Sequence, residues 1–337
     1  MAFVSQRDLN VPSSWPPTLL VVVDTEEEFN WDAPFDRANT QVRNIREQPM
    51  AQAVFDAHGV APTYVVDYPV VVSPEGIDIL GGIAASGRCT IGAHLHPWVT
   101  PPHEGPVDAR HSFPGNLPAP LERAKLAALT EAIEAGFGVR PTIYKAGRYG
   151  VGPATAATLD ELGYHIDCSV VPFTNFSAAE GPDFSAIADR PFMVTDRLVE
   201  VPLSVGFVGV LADQGRQLFP RLQTGLGQRL RLPGIAQRAG LLERLRLSPE
   251  GHSLRDMIRQ TRAGIAAGKR LFMLTYHSSS LLPGGTPYVR SEADRRAFLG
   301  VLEGYCSYFM ETLGGRPGTL AQTATELTGG LSGRIAA

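Results

Sequence analysis

The chain has 337 residues, 44% of them hydrophobic and 19% charged. That apolar content supports a sizeable core and excludes a disordered protein. A net charge of −4 gives no general attraction to nucleic acid. Cys89, Cys168 and Cys306 share no CxxC spacing and make no disulfide framework, as suits a reducing compartment.

Residues 1–17 lack a basic segment followed by an apolar core, so they read as an N-terminal extension rather than an export signal. The apolar run 19–23 is too short to span a bilayer. The expectation is a cytoplasmic protein.

Short apolar runs alternate with amphipathic stretches. Strands are predicted at 18–24, 62–67, 89–94, 142–146, 165–169, 197–203 and 271–277. Helices are predicted between them at 41–58, 74–86, 119–136, 153–162 and 252–268, with a last one at 291–313. Ser73 before Pro74 is a helix cap. Gly59 and Gly87 are helix ends. Leu121, Leu126, Leu129 and Ile133 recur at helical spacing, and Gly136 is expected to close that helix. The alternation predicts parallel βα units, and spacing alone leaves barrel and open sheet undecided.

Two segments exceed a minimal barrel. One is the Pro-rich loop 97–118. The other is an insertion at about 204–251, with seven arginines against Asp213, Glu243 and Glu250. The insertion reads either as a basic amphipathic surface for an anion or a membrane face, or as a solvated helical hairpin packed on its leucines.

The candidate chemistry gathers at predicted strand ends, where parallel α/β proteins bind ligands. Asp24-Thr25-Glu26-Glu27-Glu28 follows an unbroken apolar strand. Asp24 and Glu26 are two residues apart and so share a face. One can bind a metal while the other acts as a base; a solvated acidic loop is the plain alternative. His94 and His96 have the same spacing and can converge on one cation. Two imidazoles and a carboxylate form a common hydrolytic metal site. His277 ends the last strand, as a general acid/base candidate or a cap for the serines after it. No G-x-S-x-G elbow surrounds Ser278, Ser279 and Ser280. Gly264–Lys269 has the wrong spacing for a phosphate loop, and Cys168 reads as packing.

In this order the clusters resemble the polysaccharide deacetylase superfamily, the NodB-homology domain of carbohydrate esterase family 4, over about 18–325. The resemblance implies an α/β fold, a distorted (β/α)7–8 barrel, here one domain over 1–337 with the insertion added. It implies a divalent metal, zinc by the usual assumption, with cobalt, nickel, manganese or iron as alternatives. By resemblance Asp24 is the catalytic base, Glu26 the metal carboxylate and His94 the first metal histidine. Trp98 stands where the second histidine is usual, so His96 takes that role, with His103 as a stand-in. Lys145 occupies the place of an arginine. Either Lys145 or Arg148 pairs with Asp24. Asp167, in an Asp167-x-Ser169 element, tunes His277, the general acid. Trp98, Lys145, Tyr149 and Tyr276 are expected along the substrate-binding wall, and Glu27 and Glu28 are expected to be bystanders.

The implied activity is metal-dependent removal of an N-acetyl group from an acetamido sugar or cell-envelope polysaccharide precursor. The alternatives are a small-molecule C–N amidohydrolase of the same fold and a non-catalytic carbohydrate-binding barrel. The expected partner is an N-acetylated sugar or polysaccharide precursor, with contact of 204–251 with a membrane surface left open and no nucleic acid.

Overall fold

Seven short segments rich in apolar and β-branched residues form a parallel sheet in a computed structural model that describes residues 7–223 and 225–329. They are β1 Thr18–Thr25, β2 Thr63–Val66, β3 Thr90–Leu95, β4 Ile143–Ala146, β5 Ile166–Asp167, β6 Val199–Glu200 and β7 Leu271–His277. Each falls on a predicted strand, although β5 and β6 are shorter than expected. The first six residues of the expected extension lie outside the described residues.

In space β7 lies beside β1, and β2 to β6 follow in sequence order, all parallel. The sheet curls into a half-barrel. Phe192–Met193 and Arg7–Asp8 extend it antiparallel beyond β6. Every residue of β1 is buried, as an apolar run covered on both faces should be.

β6 and β7 do not pair with each other. The seam between them is spanned by single backbone bonds: Leu247 N–H donates to the Ser204 carbonyl at 2.9 Å, and Thr275 N–H to the Leu247 carbonyl at 3.1 Å. Both bridging residues belong to the ends of the 204–251 insertion. The expectation of a helical insertion holds at its tip only. Its stem is a β-hairpin, Val205–Val208 against Glu243–Arg246, because alternating Val-Gly-Phe-Val and Glu-Arg-Leu-Arg suit strands. Short helices at Gly215–Leu222, Gly225–Arg229 and Leu232–Arg238 follow within it.

The covering helices are α1 Gln48–Ala57, α2 Pro74–Ala85, α3 Ala119–Phe137, α4 Thr155–Leu162, α5 Leu254–Ala266 and α6 Glu292–Ser307. Ser73 Oγ accepts from Gly76 N–H at 2.9 Å and starts α2 as predicted. Leu126, Leu129 and Ile133 of α3 are buried. That helix passes through Gly136 and ends at Gly138, whose φ of +68° gives the left-handed cap. None of the helices among the described residues is long and apolar enough to cross a membrane.

Candidate active site

The ladder register fixes which strand ends meet. Asp24 of β1 pairs with His277 of β7, and His94 of β3 pairs with Lys145 of β4. Because side chains alternate along a strand, Asp24 and Glu26 point into the barrel mouth together, and so do His94 and His96.

Glu26, His94 and His96 converge. Glu26 Oε2 lies 3.5 Å from His94 Nε2 and 3.4 Å from His96 Nε2, and all three residues are buried. Each imidazole is oriented through its other nitrogen: His94 Nδ1 is 2.9 Å from the Lys145 carbonyl, and His96 Nδ1 is 2.7 Å from Glu27 Oε2. A ring nitrogen facing a carbonyl or carboxylate carries the proton, so both Nε2 lone pairs are aimed at the shared point. Burial lowers both imidazole pKa values, that of His96 to about 4. The rings are therefore neutral near pH 7, as metal ligands must be. Burial and the neighbouring carboxylates push Glu26 well above the carboxylate range, and its Oε1 is buried without a hydrogen-bond partner. These observations fit a divalent cation. Tetrahedral ligands at ~2.0–2.1 Å from zinc lie about 3.3–3.4 Å apart, close to the two separations seen.

Asp24 is held on the other flank. Lys145 Nζ lies 2.5 and 2.7 Å from its two oxygens and donates to Thr275 Oγ1 at 3.1 Å. Burial alone would raise the Asp24 pKa, but Lys145, His94 and His277 outweigh it and bring it to about 2. His277 Nε2 is 3.6 Å from Asp24 Oδ2. Its Nδ1 faces Glu250, 2.9 Å from Oε2, and Glu250 Oε1 also accepts from the His277 N–H at 3.0 Å and from Ser280 Oγ at 2.6 Å. His277 is the member of the group with some exposure, 16% of its side chain, so it faces what enters the mouth.

Several expected assignments change. Asp167 does not reach His277: its Oδ1 accepts from Ser169 Oγ at 2.5 Å, and its carboxyl lies against Glu200. Glu250, from the far end of the insertion, takes that place. Arg148 does not pair with Asp24. It stacks on Phe113 at 4.1 Å and bonds to Ser112 and the Ala109 carbonyl, bracing the 97–118 loop. Lys145 is wholly buried, spent on Asp24, and lines no substrate surface. Trp98 is buried too. Its ring stacks on His96 at 4.2 Å, and its Nε1 donates to Glu27 Oε1 at 2.7 Å. Tyr276 points into the core, 3.4 Å from Gln48 Nε2. Only Tyr149 of the four expected wall residues is half-buried at the mouth, where its hydroxyl accepts from Arg246 at 2.7 Å. His103 is not among the three converging residues.

Glu27 is no bystander, since it orients both His96 and Trp98. Glu28 pairs with Arg43 outside the site. Asp67 accepts from the Glu27 N–H at 2.7 Å, and its carboxyl is raised well above the usual range by burial and by Glu27. Trp31 stands edge-on to His277 with ring centroids 5.0 Å apart. Gly147 is also required: a Cβ there would sit 2.4 Å from the Leu95 carbonyl and 2.5 Å from His96 Cδ2. Asp67, at the end of β2, and Gly147, after β4, occupy the strand-end positions that flagged the other residues. Glu250 carried no such signal.

No protein-family model matches the chain, and no curated protein matches it. Solved structures do. A Mycobacterium smegmatis protein provisionally named a polysaccharide deacetylase aligns over 97% of this chain and 95% of its own, with a TM-score of 0.53 and 18% identity. The 4-alpha-glucanotransferase of Thermococcus litoralis aligns over 94% of this chain and 41% of its own, at 0.52 and 8%. The peptidoglycan deacetylase PdaC of Bacillus subtilis aligns over 95% and 94%, at 0.44 and 9%, and adds no weight. The chain shares the fold of that Mycobacterium smegmatis protein. The same barrel serves a glucanotransferase, so the reaction has to be argued from the side chains.

Proposed function

We propose that this protein is a metal-dependent hydrolase that removes an N-acetyl group from an acetamido sugar or a polysaccharide precursor. The observation that carries the reading is the convergence of Glu26, His94 and His96 beside an ionised Asp24 and a partly exposed His277 braced by Glu250. Glu26, His94 and His96 would hold the cation, zinc or another divalent metal. Such a cation, when bound, polarises an amide carbonyl and makes water more acidic.

The chain's own groups account for the protons. Water adds to the amide carbon while Asp24 takes its proton. His277 delivers a proton from Nε2 to the amine nitrogen as the C–N bond breaks, leaving acetate and the free amine. Glu250 keeps the Nδ1 proton in place, so that Nε2 is the nitrogen that exchanges. A second division of labour is favoured by the two-point grip of Lys145 on Asp24. A carboxylate held near 2 is a weak base, and His277 could move the proton in both directions while Asp24 stays charged. A bell-shaped pH–rate profile supports separate acid and base, and a single acidic limb supports the shuttle.

The mouth suits an extended substrate better than an enclosed small molecule. The space beneath the 97–118 loop is packed, with a residual cavity of about 10 Å³ between Trp98 and Lys125. A surface depression of about 600 Å³ lies alongside Phe29 and Trp31 instead, and aromatic rings there offer stacking faces for sugars.

The test is acetate release from N-acetylated oligosaccharides. Purified protein should carry about one divalent cation per chain, as a three-ligand site holds. His94→Ala should lose it. Asp24→Asn and His277→Ala should each abolish turnover without changing circular dichroism. Acetate release undiminished by both substitutions would sink the proposal, and absence of metal would favour a non-catalytic carbohydrate-binding barrel.

A further inference from the structure

The tip of the insertion is unlike the rest of the surface. Eight large apolar side chains are exposed among the described residues, and five of them, Val210, Leu226, Leu230, Ile235 and Leu241, lie on this tip. Val210 is 82% and Leu226 69% exposed. Residues 210–241 also contain five arginines and one aspartate, a local charge of +4 on a chain whose total is −4. Arg229, Arg231 and Arg238 are exposed and form no ion pair among the described residues. Leu226 and Leu230 stand one helical turn apart, joined by a 3.0 Å backbone bond, so they share a stripe with Arg229 beside it.

We infer that this tip docks on a bilayer containing anionic phospholipid. Exposed leucine and isoleucine side chains on short helices, flanked by Arg229, Arg231 and Arg238, have the make-up of an interfacial membrane segment. The apolar side chains enter the headgroup boundary while guanidinium groups meet lipid phosphates. A protein partner of complementary charge would be read by the same arginines, but a two-leucine stripe with a few separate apolar side chains is smaller than the buried core that a protein interface needs. The stem leaves the barrel at the seam beside Glu250, and its Arg246 touches Tyr149. The inference does not depend on the hydrolase reading.

The test is flotation of the full chain with vesicles of phosphatidylcholine alone and of phosphatidylcholine with phosphatidylglycerol. The protein should float with the anionic vesicles, not with the neutral ones, and high salt should release it. An Arg229→Gln, Arg231→Gln, Arg238→Gln variant should partition about a hundredfold more weakly, because three guanidinium groups no longer meet lipid phosphates. A Leu226→Gln, Leu230→Gln, Ile235→Gln variant should also stay in solution. A measurement free of folding effects uses Ile235→Cys, because Cys89, Cys168 and Cys306 are all buried. An environment-sensitive dye on that cysteine should shift to the blue with anionic vesicles. Failure of the wild type to float, flotation unchanged in both triple variants, or a dye that does not shift overturns the inference.

Discussion

At the scale of single residues, the site depends on groups that orient other groups. Glu250 holds His277 from behind, so Glu250→Gln should reduce turnover about 10- to 100-fold, the usual cost of losing an orienting partner, with metal content unchanged. Asp167→Asn should leave turnover near the wild-type level. Equal effects of the two substitutions on the rate of acetate release would contradict the assignment. Gly147→Ala should displace the His96 ring, and equilibrium dialysis should show weaker metal binding in a protein with unaltered helix content. The Asp24–Lys145 pair makes an acid-side prediction. Asp24 titrates lower in the folded protein than its ordinary 3.8, at about 2. The stabilisation is therefore complete above pH 3.8 and is lost as pH falls through 2, by about 2 kcal/mol. Urea unfolding of an Asp24→Asn, Lys145→Met variant should lack that part of the acid slope.

At the scale of elements, what the sequence made legible tracks the range of the interaction. Asp24, Glu26, His94, His96 and His277 stand at the ends of apolar runs, and strand alternation alone puts each pair on one face. The covering helices are readable too, because Ser73 before Pro74 and the leucine spacing of α3 are local signals. Glu250 is not, since it reaches His277 only after the chain returns from the insertion. Arg148 departs from expectation because its backbone is left-handed, with φ of +53°, which turns the side chain toward Phe113 and away from Asp24. The stem of the insertion departs from it because its arginines and leucines suit strands as well as helices. Two stability tests belong here. Ser253 and Asp256 form a capping box at the start of α5, so Ser253→Ala should cost about 1 kcal/mol in urea unfolding. Leu129→Ala, in the buried face of α3, should cost about 2–5 kcal/mol.

At the scale of the whole molecule, the barrel and the inserted hairpin are built on different terms. Apart from the seam between β6 and β7, the strands of the barrel are joined by parallel ladders around a large core. The hairpin tip has a separate small cluster of Phe219, Ala236 and Leu242 and presents leucines and arginines to its surroundings. Replacing 209–241 by a short turn should leave the seam bonds of Ser204 and Leu247 intact. Such a variant should keep the metal content and circular dichroism of the barrel and lose vesicle binding.

The pairing of β1 with β7 over the whole of Leu271–His277 also bears on how the protein comes apart. Asp24 and His277 sit on the two most extensively paired strands, where amide hydrogens should exchange only when the entire structure opens. The reactive groups thus have no loosely held segment of their own. In a denaturant titration, loss of catalysis should coincide with global unfolding, while amides of the hairpin tip exchange with solvent well before it.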